Sequence, residues 1–111
     1  MEEDRKVAGF IMNKLWSYRY VGGQHTSVDN LPKGYPLSGR GLFPSVVKRL
    51  KKEGYLVIHP TSYGPQVSAS IAMRAKALDL ANEYRTSVGM LSLGLDVKEQ
   101  QAPRVSETNK R

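Results

Sequence analysis

A chain of 111 residues has the size of a single domain, and 40% hydrophobic with 24% charged residues is the balance of an ordinary soluble globular protein. It contains no cysteine, which excludes a disulfide scaffold, a thiolate metal site and a cysteine nucleophile together and fits a reducing, cytoplasmic setting. The net charge of +7 points to a polyanionic partner, and no run nears the roughly 20 apolar residues that span a bilayer.

The opening MEEDRK is acidic and reads as the start of a helix, so a secretory signal is not expected. Residues 3–18 form that helix: Val7, Phe10, Ile11, Leu15 and Tyr18 recur at three- and four-residue steps. Glu2, Glu3 and Asp4 complement its dipole, and Trp16 is expected in the core. Val21-Gly22-Gly23 ends the unit. In residues 24–38, Thr26 or Ser27 can cap a brief helix carrying Val28 and Leu31, and Pro32, Gly34 and Pro36 prevent anything longer.

Residues 39–53 give the second clear helix, its regular part starting near Pro44. Phe43, Val46, Val47 and Leu50 make one face; Ser45, Lys48, Arg49 and Lys52 make the other. Gly54 stops it. Tyr55-Leu56-Val57-Ile58 is β-prone, Thr61–Gly64 has turn composition, and Gln66-Val67-Ser68 can pair back as a hairpin. Ser70 can cap a last helix over 71–88, striped by Met73, Ala77, Leu80, Ala81, Tyr84 and Val88. That stripe is expected either to join two copies into a homodimer or to pack on the first helix. Periodicity is lost after Gly89, which divides the chain into a domain over 1–90 and a flexible, disordered tail over 91–111.

The order helix, short helix, basic helix, hairpin, helix resembles the winged-helix (winged helix-turn-helix) superfamily over residues 3–88. The most specific cue is the join Val46-Val47-Lys48-Arg49-Leu50-Lys51-Lys52-Glu53-Gly54-Tyr55-Leu56-Val57, a basic helix running through Glu-Gly into a strand. The segments HTSVDNLPKGYP and PTSYGPQVS also resemble small uncharacterised prokaryotic proteins, mainly archaeal, which assigns no activity. The superfamily implies an α+β fold: a three-helix helix-turn-helix core, a β-hairpin wing and here an additional C-terminal helix. It implies the basic helix in the major groove of DNA and the wing on the backbone or minor groove.

Charge placement agrees with that expectation. No acidic residue lies between Asp29 and Glu53, while Lys33, Arg40, Lys48, Arg49, Lys51 and Lys52 do. Lys48, Arg49 and Lys52, with Ser45 between them, are therefore the expected nucleic-acid contact, with Arg40 and Lys51 at its edges and Thr61, Ser62 and Tyr63 at the hairpin tip. The expected function is a DNA-binding transcriptional regulator. The alternatives are an RNA- or ribosome-associated protein, with Tyr35 and Tyr63 as stacking surfaces, and a protein-interaction module. Catalysis, a cofactor and a metal site are not expected: His25 with Asp29 has no third ligand at sensible spacing, capping explains Thr26, Ser27 and Asp29 better, and His59 reads as structural. Gly39-Arg40-Gly41 matches no phosphate-loop pattern.

Overall fold

A computed structural model of the chain describes residues 2–93. The fold is α+β: three α-helices and a small antiparallel sheet are found among the described residues. Helix α1 runs Glu2–Ser17, α2 Phe43–Lys52 and α3 Arg74–Ser87. The strands are β1 Thr26–Ser27, β2 Leu56–His59 and β3 Gln66–Ala69, in the order β1-β3-β2. Thr26 pairs with Val67, Leu56 with Ala69 and His59 with Gln66.

α1 is the central element because two of its sides are apolar. Val7, Ile11, Met12 and Leu15 are fully buried. Gly9 brings α3 close: a Cβ there would stand 2.6 Å from the Leu80 carbonyl oxygen and 2.8 Å from the Tyr84 Cβ. On the α3 side Ala77, Leu78, Leu80 and Ala81 are buried. Ala77, Leu80 and Ala81 of the last helix's stripe are thus buried within the chain, while its last member, Val88, is exposed. Arg5 and Glu83 add an exposed ion pair between the same helices.

Four rings close the other end of the core. Phe10 meets Tyr35, Phe43 and Tyr84 edge-on at centroid distances of 5.0, 6.0 and 5.4 Å, and Tyr35 meets Phe43 at 5.3 Å. Edge-to-face contacts of this kind add to the burial of the rings themselves. The sheet lays Leu56, Val67 and Ala69 on this core.

Residues 24–42 depart from the sequence expectation. Thr26 and Ser27 are strand β1, not only a cap. The Ser27 hydroxyl does cap a single 3-10 turn, Val28–Asn30, accepting from the Asp29 amide. A second 3-10 segment, Leu37–Leu42, leads into α2. The segment is held by Lys14 of α1, whose Nζ donates to the carbonyls of Asn30, Leu31 and Lys33. Ser70 sits before the 3-10 turn Ile71–Met73 that opens the last helix, but its side chain makes no capping hydrogen bond. Trp16 is half-buried against the core, with its indole N–H sequestered and without a partner among the described residues.

After α3 the chain turns back. The Leu93 amide donates to Asn82 Oδ1, and the Asn82 amide nitrogen donates to the Leu93 carbonyl at 3.1 Å. Leu93 falls in the expected tail over 91–111. The rest of the expected tail, 94–111, lies outside the described residues.

Candidate nucleic-acid interface

Packing decides which side of α2 meets solvent. Phe43, Val46 and Leu50 are buried and Val47 half-buried, so Pro44, Ser45, Lys48, Arg49, Lys51 and Lys52 are left exposed. Pro44 fits the first turn because its missing N–H has no intrahelical partner there. At the far end Gly54 takes φ +91, and the Tyr55 amide returns to the Leu50 carbonyl at 2.9 Å. This left-handed residue turns the chain directly into β2 and fixes the hairpin relative to the basic face.

The exposed cations of α2 are not equivalent. Ser45, Lys48 and Lys52 follow one another at steps of three and four and form the middle of the solvent face. The Ser45 hydroxyl donates to the Leu42 carbonyl at 3.1 Å. Lys51 lies on one flank. Arg49 lies on the other, where it pairs with Glu53 at 3.4 Å and lines a cleft with Asp4, Arg5, Tyr55 and Leu80. Lys48, Lys51 and Lys52 have no ion-pair partner among the described residues. Arg40, expected at the edge of the contact, is half-buried and its Nε donates to the Tyr35 carbonyl at 2.8 Å.

The hairpin turn falls where the sequence places it. The Gly64 amide donates to the Thr61 carbonyl, and the Thr61 hydroxyl donates to the Gly64 carbonyl while accepting from the Tyr63 amide. Thr61 is therefore engaged in the turn, while Ser62 and Tyr63 project; Tyr63 is 95% exposed. Tyr35, by contrast, is 3% exposed, with its hydroxyl donating to Glu3, so it offers no stacking surface. Burial, then the Glu3 hydrogen bond and charge, then Tyr84, hold its phenol above the ordinary tyrosine range.

A second group of cations lies away from α2. Lys14 is lowered from its usual value by burial first, then by Lys33 and Arg40. Lys33 borders a hollow with Phe10, Tyr18 and Arg85 rather than joining the α2 face. Sequence reasoning misses a contact on the sheet as well: His25 and His59, the two histidines of the chain, lie ring to ring. Nothing in the local pattern announces this, because register across β3 brings them together. Among the described residues no three His, Cys, Asp or Glu side chains gather as a metal cluster, and no helix is long and apolar enough to cross a membrane.

No protein-family model, curated protein or solved structure matches the chain.

Proposed function

We propose that the protein binds nucleic acid as a winged-helix module, with α2 as the recognition helix and the β2–β3 hairpin as the wing. The observation that carries this reading is the solvent face of α2, where Lys48, Lys51 and Lys52 are exposed with no ion-pair partner among the described residues. An ordinary solvated helix face mixes signs, whereas this one bears a single sign until Glu53. The sheet order β1-β3-β2 and the turn from α2 into β2 are compatible with the winged-helix layout.

Duplex DNA is the favoured ligand, because a helix face of about 10 Å width suits the major groove. In this arrangement Lys48 and Lys52 neutralise phosphates, Lys51 adds a flanking contact, and Ser45 faces the same surface. Arg49 reaches a base only after leaving Glu53. Ser62 and Tyr63 of the wing follow the backbone. A regulator of transcription is the role this binding mode serves most simply.

Titration of matched duplex DNA and structured RNA over a salt series tests the proposal. Tighter binding to duplex, weakening steeply with salt, supports it. Preference for RNA would move the function to an RNA-associated protein, and absence of binding to either would leave a protein-interaction module.

A further inference from the structure

The ring centres of His25 and His59 lie 5.0 Å apart, with their planes tilted by 32°. The residues are 34 positions apart in the chain and come from opposite edges of the sheet: His25 immediately precedes β1, and His59 ends β2. Strand β3 lies between them and supplies a partner to each. His25 Nδ1 contacts Gln66 Oε1 at 3.3 Å, and His59 Nε2 contacts the Ser68 hydroxyl at 3.1 Å. With the Gln66 carboxamide oxygen turned toward it, the neutral His25 ring carries its proton on Nδ1 and keeps the Nε2 lone pair. Ser68 is fully buried and fixes the orientation of the His59 ring, leaving Nδ1 as its other nitrogen.

Metal-binding histidines are held in this way, by a second group on one ring nitrogen while the other nitrogen meets the ion. The spacing agrees. Two imidazoles on one tetrahedral ion at ordinary Zn–N lengths have ring centres about 5 Å apart. We infer that His25 and His59 form a two-histidine site for a divalent transition ion of the zinc class. Imidazole selects such ions over magnesium and calcium, which prefer oxygen. With no third His, Cys, Asp or Glu joining the pair among the described residues, water completes the coordination, and the ion exchanges readily. A bound ion links residue 25 to residue 59, and so ties the approach to β1 to the turn end of the hairpin. This inference does not rest on the nucleic-acid reading.

The test is calorimetric titration of the untagged full chain with ZnCl2, with MgCl2 as control and folding of every variant checked by circular dichroism. One zinc per chain is expected, with no heat from magnesium. Chelation requires both rings, so His25→Gln and His59→Gln should each lower affinity at least tenfold. Gln66→Ala, which frees the His25 ring, should lower it as well. A rise in melting temperature with zinc, lost in His25→Gln, is the accompanying expectation. If either single variant keeps the wild-type affinity, the histidines act separately and the site does not exist. Absence of saturable zinc binding by the wild-type chain would overturn the inference equally.

Discussion

Replacing Gly9 by alanine probes the joint on which the core depends. The added Cβ would meet the Leu80 carbonyl oxygen at 2.6 Å and the Tyr84 Cβ at 2.8 Å. Both belong to the α3 backbone or its first side-chain atom, so neither can rotate away. Reaching an ordinary contact requires α1 and α3 to part by roughly half an ångström to one ångström, a gap that forfeits a quarter to a half of the dispersion energy of contacts across it. Overpacking of this kind costs up to about 3 kcal/mol. Alanine returns about 1 kcal/mol through its higher helix propensity. The net loss is then up to about 2 kcal/mol, equivalent to as much as roughly 8–16 °C in Tm for a domain of this size. Urea unfolding followed by circular dichroism measures it. Gly23→Ala is the control, since a Cβ there meets nothing within 4 Å and the residue does not have positive φ. A Gly9→Ala protein as stable as the wild type would refute the close approach of the two helices.

Lys14→Met removes the donor that holds three carbonyls of the segment after β1. A loss of about 2 kcal/mol in urea unfolding is expected, at the level of one or two charge-assisted hydrogen bonds. Tyr35 sets an alkaline limit. Its phenol pKa is raised in the folded protein, so its contribution is complete below pH 10 and is lost as pH rises above that value, at up to about 1.4 kcal/mol per pH unit. Lys14 acts in the opposite sense and at lower pH: its lowered pKa marks a penalty on the charged form that is relieved as pH rises toward 10.5. Comparing Tyr35→Phe with wild type in urea at pH 9 and 11 isolates the tyrosine, and equal pH profiles for the two proteins would argue against its burial. Leu80→Lys places a charge in the α1–α3 interface and should unfold the chain rather than yield a stable monomer, as thermal melting would show.

The long amphipathic elements were legible because burial on one side imposes a period. The stripes of α1 and α3 and the division of α2 into Phe43-Val46-Leu50 and Ser45-Lys48-Lys52 follow directly from it. The hairpin was legible through its turn residues. Strand β1 was not, since two residues show no alternation and exist as a strand only by pairing with β3. The same holds within the candidate site. Spacing places Lys48, Arg49 and Lys52 on the exposed face but gives no sign of Glu53 as the partner of Arg49. Tyr35 reads as an exposed turn residue because the sequence around it is Pro- and Gly-rich; Phe10, Phe43 and Glu3 bury it from three distant positions. The histidine contact depends wholly on register in the sheet.

The salt dependence of duplex binding by a Lys48→Ala/Lys51→Ala/Lys52→Ala protein tests the central claim most directly. All three side chains are exposed, so the variant should keep the wild-type circular dichroism spectrum and melting temperature. Each phosphate contact releases counterions and contributes about 0.9 to the slope of log affinity against log salt. The account predicts a slope lower by about two to three units and weaker binding to every duplex sequence, while Arg49→Ala, already paired with Glu53, should change the slope by less than one unit. A folded triple variant with the affinity and slope of the wild type would contradict the account and leave the basic face of α2 as a solvated surface.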